Sequence, residues 1–260
     1  MKSLSLDTYT LKLIAIISMA LHHVVMVLWE IFPLWVHIPA YMLRGITFPI
    51  MGFFVVEGFR RTSNIQRYIK RLFIFGLISQ IPHTLALGLF MPNIVLTILL
   101  GLLCLMMYDK LYVKMQKKAL FVILFIVIAV LSILLQFEGG LVGPILILMY
   151  HVIKNERKRR FWPLMCWGIM NMVFGLLNRL AIGLLPADVV TGMLNIELLL
   201  ANYLWVLPLG TFLIIPLLMA YNGERGRRTK FLFYYFYPIH WAVLAAIAFA
   251  LGLTDFANIF

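Results

Sequence analysis

Three imidazoles, a guanidinium and a carboxylate stand in or beside apolar runs where a lipid-facing side chain would be costly: His22, His23, His240, Arg44 and Glu57. A neutral imidazole titrates close enough to neutrality to take a proton from a hydroxyl or amine, so His23 is a candidate general base. Arg44 could orient an acceptor or stabilise a developing oxyanion. His240 closely follows Pro238, which removes a backbone donor and frees a carbonyl that a neighbouring helix or a cavity must satisfy. It is a candidate for assisting proton transfer. Each group also has a plainer reading. An intramembrane His often makes only an interhelical hydrogen bond, and Glu57, just before Arg60-Arg61, is equally a carboxylate paired at the inner interface. Adjacent helical residues point about 100° apart, so at most one of His22 and His23 faces a given cavity. Lys12 and Arg179 lie near helix ends and can snorkel.

The elements that must position these groups follow from composition. Of 260 residues, 63% are hydrophobic and 12% charged, with a mean hydropathy of +0.99. A soluble domain could not hide that much apolar surface, so the expected solvent is the bilayer. Apolar stretches run over 11–31, 40–59, 72–90, 93–108, 119–136, 141–153, 161–183, 198–220 and 231–253. They predict an all-α, polytopic transmembrane bundle of about nine helices, with eight to ten allowed. The stretch 141–153 is short for a span. It either extends through Lys154 or packs inside the bundle. Met91-Pro92-Asn93 reads as a loop or a kink, and 184–197 has room for an extra half-helix. The first stretch carries two histidines and lacks a small-residue cleavage pattern, so it reads as the first helix rather than a signal peptide. Without an internal repeat or a soluble appendage, residues 1–260 read as a single integral membrane domain. Cys104 and Cys166 have no Cys or His at ligand spacing, so neither a disulfide nor a metal is expected.

Basic residues give the orientation. They follow the second, fourth, sixth and eighth stretches, for example Arg60, Arg61, Arg67, Lys70 and Arg71, then Lys154 to Arg160, then Arg225, Arg227 and Arg228. The alternate loops hold no Lys or Arg but do hold Glu138, Asp188 and Glu197. One wrongly counted helix would destroy this parity, which places the N-terminus in the cytoplasm of a multi-pass inner-membrane protein. The formal net charge of +12 is explained by these loops meeting anionic headgroups, so no nucleic-acid partner is expected. Arg44 then sits near the outer side, His23 mid-membrane, and His240 and Glu57 further in. Arg44 and Glu57 are 13 positions apart, ~20 Å along one helix. If those faces converge, two imidazoles and a guanidinium share one chamber.

The order of several short segments resembles the TraX family, over most of the chain. They are Leu11 to Ala15 and Met19 to His23, Phe48-Pro49 through Glu57-Gly58-Phe59, Thr62-Ser63-Asn64, Tyr68, Arg71-Leu72 and Ile78-Ser79-Gln80-Ile81-Pro82. Asn93 through Thr97, Gly101, Tyr221 to Gly226 and Phe233 to His240 complete the series. The family is known from conjugation systems, where its type member acetylates pilin. The resemblance implies kinship with membrane acyltransferases that use acetyl-CoA. It aligns His23 with the first-helix His, Arg44 and Glu57 with polar positions of the second helix, and His240 with the last-helix His. His22 stands where the family usually has Asp, so a carboxylate that could orient the neighbouring imidazole is missing. His83 stands where an aromatic residue is more usual.

The expectation is acetyl transfer from cytoplasmic acetyl-CoA to a hydroxyl or amine of a pilin, peptide, glycan or lipid, with His23 as base. Arg60, Arg61, Arg71 and Arg225, with Asn222 in a compact turn, are candidates to grip the donor's phosphates. A small proton- or ion-coupled transporter using the same ionisable file, and a non-catalytic assembly partner, are the alternatives.

Overall fold

Helices are what these stretches must form, because a backbone in lipid has to satisfy its N–H and C=O groups within its own segment. The computed structural model describes residues 5–184, 207–227 and 230–253, and among them the protein is all-α, without a named strand. Nine α-helices follow in order: α1 Thr8–Val27, α2 Leu34–Arg61, α3 Ile65–Leu87, α4 Ile94–Met107, α5 Lys118–Leu134, α6 Val142–Val152, α7 Glu156–Gly183, α8 Leu207–Met219 and α9 Lys230–Ala250. Each expected stretch holds one of them. The residues 185–197, and 198–206 at the start of the eighth stretch, lie outside the described residues.

Four described helices are long and apolar enough to cross a membrane: Thr8–Val27, Trp35–Arg61, Ile94–Lys114 and Glu156–Gly183. The third reaches its 21 residues only because α4 continues into a π-helical stretch, Tyr108–Lys114. α6 has eleven residues, ~16 Å of rise, and buries Leu146, Ile147 and Tyr150. It packs within its unit and does not continue through Lys154, because Ile153 leaves the helix with extended backbone. Met91-Pro92-Asn93 is a loop. Gly88 ends α3 in the left-handed region at φ 69°, and the Asn93 side chain caps α4 by accepting from the Val95 N–H.

The chain forms two compact units, Met1–Ile50 with Arg160–Glu224 and Met51–Arg159 with Arg225–Phe260. In the first unit, α1 presents a buried stripe of Leu11, Ala15, Ser18 and His22 at helical spacing. Against it lies the first half of α2, whose Tyr41 ring meets His22 edge-on at 5.1 Å and whose Thr47 hydroxyl donates to the Ala15 carbonyl at 3.2 Å. Residue numbers rise on one helix as they fall on the other, so the two are antiparallel. α7 stacks Trp167 on Phe48 at 4.9 Å. α8 brings its backbone onto α2 at Gly210, where an added Cβ would lie 1.7 Å from the Met42 carbonyl oxygen. Next to it, the Thr211 hydroxyl donates to the Gly45 carbonyl. The start of the chain is pinned to residues 220–224 by backbone bonds from Leu6 to Ala220 and from Asn222 to Leu6.

In the second unit, α3 and α9 run parallel, with Phe75 against Tyr234 at 5.0 Å and His83 against Trp241 at 4.6 Å. α4 runs antiparallel to α3, with Leu96 packed at Gly76 and the Asn93 amide donating to the Gly76 carbonyl. The second half of α2 and α6 are parallel, through Gly52 on Ile147 and Phe53 on Tyr150. Gly101 of α4 also admits Ile147, at 2.4 Å from where its Cβ would stand. Neighbours from alternate positions in the chain thus run alike.

Close backbone approach makes a sharp test. Gly210→Ala should destabilise the protein by about 1–3 kcal/mol or more, because backbone rather than a side-chain end must give way. Gly183→Ala, where nothing lies within 4 Å, should be neutral or slightly stabilising. Thermal unfolding of the purified protein in detergent compares the two.

Candidate functional site

The first unit holds the imidazole pair and the arginine. His22 and His23 are 1% and 4% exposed, their rings 5.2 Å apart at 63°. His22 meets α2 through Tyr41. Arg44 lies one turn beyond Tyr41 and one turn before Thr47, so it faces the Ala15 to Ser18 level of α1. Its Nη1 is buried and makes no hydrogen bond. A guanidinium N–H with no acceptor in such a place is a ready donor to an oxyanion. Asn222, a candidate donor-binding residue, sits exposed in this unit, where its amide donates to Ser5 Oγ and Glu224 Oε2. Arg179 is exposed on α7.

The second unit gathers polar groups into two separate clusters. The first surrounds the α3–α4 loop. Asn93 donates to the Gly76 carbonyl and to Gln80 Oε1 at 2.8 and 2.9 Å, and Gln80 donates to the Met91 carbonyl. Glu138 Oε2 accepts the Ile94 N–H at 3.0 Å, and the Thr97 hydroxyl donates to the Glu138 carbonyl. A carboxylate here suits the partial positive charge of the α4 N-terminus. His83, wholly buried, puts Nε2 3.6 Å from the same Glu138 oxygen. Trp241 bridges from His83 to His240, whose ring it meets at 5.2 Å. His240 stacks on Phe236, and its Nδ1 lies 3.0 Å from the Phe236 carbonyl oxygen. A carbonyl only accepts, so Nδ1 is the donor in this contact. Sequence reading took Glu138 as an outer-loop acid and attached no consequence to His83. Some 55 residues separate the two, and no spacing rule joins them.

The second cluster is an ion-pair network at the other end of the unit. Glu57 Oε1 accepts from Arg159 Nη2 at 2.7 Å and its Oε2 from Arg61 Nη2 at 2.8 Å. Arg159 Nη2 also reaches Glu156 Oε2 at 2.7 Å, and Arg60 donates to the His151 carbonyl. His151 Nε2 lies 2.8 Å from Asp109 Oδ1, on the π-helical stretch. Glu57 therefore takes the paired arrangement, with Arg159 as well as Arg61. Arg60 and Arg61 are both engaged. Arg71 lies over the Tyr68 ring at 5.7 Å, with Nε buried and unpartnered, and Arg225 is exposed. Arg159 was legible only as one basic residue in a loop run. The signal that could have singled it out is its place three residues after Glu156 at a helix start, with Asn155 as cap.

Among known proteins, the family model described as TraX protein matches residues 7–248. The probable fimbrial assembly protein FimC, serogroup H1, of Dichelobacter nodosus is 26% identical over 266 residues, covering 94% of this chain and 97% of that protein. No solved structure matches the chain.

The Glu57–Arg159 pair is testable by double substitution. Arg159→Met alone should destabilise by about 3–5 kcal/mol, because it strands a buried carboxylate. Glu57→Met with Arg159→Met should recover much of that loss. The readout is the unfolding temperature in detergent.

Proposed function

We propose that this chain, which belongs to the TraX family, is a multi-pass inner-membrane acetyltransferase that moves an acetyl group from cytoplasmic acetyl-CoA to a hydroxyl or amine of a pilin or another surface acceptor. The family match, and a Dichelobacter nodosus relative named as a probable fimbrial assembly protein, support the pilin side of this reading. The observation that carries the chemistry is the buried His22-His23 pair on α1 facing a helix whose Arg44 has an unpartnered, buried Nη1.

His23 takes the acceptor's proton as the acceptor oxygen or nitrogen bonds to the thioester carbonyl carbon, and returns it to the thiolate that leaves. Arg44 stabilises the charge that grows on the carbonyl oxygen. The His22 ring, edge-on to His23, can fix that ring's orientation but supplies no negative charge. His240, whose Nδ1 lies against the Phe236 carbonyl, is a separate candidate for proton transfer in the second unit. Arg71 and Arg225, and secondarily Arg60 and Arg61, which already bond within the protein, are the second unit's candidates for the donor's phosphates, and Asn222 is a separate candidate in the first unit. A carrier coupled to protons is the second reading, supported by the wholly buried His83 beside Glu138.

Mass spectrometry of surface polymers and membrane proteins, with and without the gene, should reveal a difference of about 42 Da, the mass added by acyl transfer to one acceptor. His23→Ala should lower transfer by about 10²–10⁴-fold and Arg44→Ala by about 10²–10³-fold, with the protein still inserted. Full acetylation by His23→Ala would exclude the base. Substrate flux in proteoliposomes without acetyl-CoA turnover would instead establish the carrier. Orientation is tested separately. A cysteine placed at Asn64 should resist an impermeant thiol reagent in intact cells, and one at Gly139 should react.

A further inference from the structure

Buried donors without a partner also lie around one ring, Phe53, in the second unit. The Phe53 ring of α2 touches the Tyr150 ring of α6, 5.5 Å between centroids, and the Arg159 guanidinium of α7, 4.9 Å above the ring. Tyr150 and Arg159 are 0% and 2% exposed. The Tyr150 hydroxyl, Arg159 Nε and Arg159 Nη1 are all buried and make no hydrogen bond. Both carboxylates of the neighbourhood, Glu57 and Glu156, are taken by the same nitrogen, Arg159 Nη2. The guanidinium therefore keeps its Nε–H and both Nη1 hydrogens for something else.

We propose that Tyr150 and Arg159 form a buried subsite for one phosphate-type oxyanion. The guanidiniums of Arg60, Arg61 and Arg159 balance the carboxylates of Glu57, Glu156 and Asp109, so an anion meets no excess of negative charge and is gripped by the open Arg159 N–H groups. Planar N–H donors and a hydroxyl are the usual grip on phosphate oxygens. Arg60 and Glu156, 3.7 Å apart with side chains 31% and 55% exposed, are the partly exposed partners of this network. The phosphate could belong to a nucleotide such as coenzyme A, to a phospholipid headgroup or to free phosphate. The inference goes beyond the acetyl-transfer reading, because binding here is measured without turnover.

The experiment follows thermal unfolding of the purified full-length protein in detergent, titrated separately with inorganic phosphate, coenzyme A and phosphatidylglycerol. Wild type should be stabilised by at least one of them, and which one responds identifies the source. Tyr150→Phe removes a hydroxyl that bonds nothing in the free protein, so it should leave ligand-free stability unchanged or raised while weakening binding about tenfold, the scale of one hydrogen bond to a charged group. Arg159→Lys keeps a cation for Glu57 but loses the fork, and should weaken binding further. The proposal is overturned if none of the three ligands stabilises wild type. It is also overturned if Tyr150→Phe responds to ligand as wild type does, which would assign the unpartnered donors to an internal water only.

Discussion

A polar group inside an apolar helix bundle has no bulk water to bond, so its partner must come from another part of the protein. This constraint organises the second unit. Glu57 accepts from Arg159 across 102 positions of sequence, and that contact joins α2 to the first turn of α7. Around it, Arg60 reaches the end of α6, and His151 reaches the π-helical continuation of α4. The wide π turn fits this role, since it carries Asp109 at the level of the α6 terminus. A buried ion pair of this kind contributes little net stability, because desolvation offsets attraction. Losing one partner is nevertheless severe, so the pair fixes which helix ends meet.

The same constraint explains the short elements. α6 is too short to cross hydrocarbon unaided, yet three of its side chains, Leu146, Ile147 and Tyr150, are at most 1% exposed. Gly52 and Gly101, from two different helices, both leave room for the one side chain Ile147. Small residues let backbones approach, which replaces a hydrophobic drive that lipid does not supply. The α3–α4 loop shows the polar counterpart. Asn93 caps α4 with its oxygen and ties α3 with its amide, and Gln80 closes the loop onto Met91.

Hydropathy made the nine helices of the described residues and their order legible, because burial in lipid writes itself as unbroken apolar runs. It could not separate a span from a packed short helix at α6, since both are equally apolar. The residues Glu57, Arg60 and Arg61 were legible as a local charge cluster at i, i+3 and i+4. Arg159 and the His83 contact with Glu138 were not, since those meetings depend on which helices lie side by side. His22 and His23 were legible as an anomaly in the first helix. The edge-on contact of His22 with Tyr41 of α2 follows from no pattern in the numbers.

Satisfaction of hydrogen bonds is what separates scaffold from chemistry here. Gln80 and Asn93 are saturated: each side chain both donates and accepts within the α3–α4 corner, so they have little left to offer a ligand. Glu57 is likewise spent on two guanidiniums. An uncharged N–H such as that of Trp167, buried without an acceptor, is a modest loss that a bundle tolerates. A guanidinium N–H in the same condition is a larger one, because the charge cannot be neutralised by deprotonation. Arg44 carries that burden in the first unit, and Arg159 and Arg71 in the second. A fold that keeps such donors open in apolar surroundings forgoes stability that a leucine would supply, and an arriving anion recovers it.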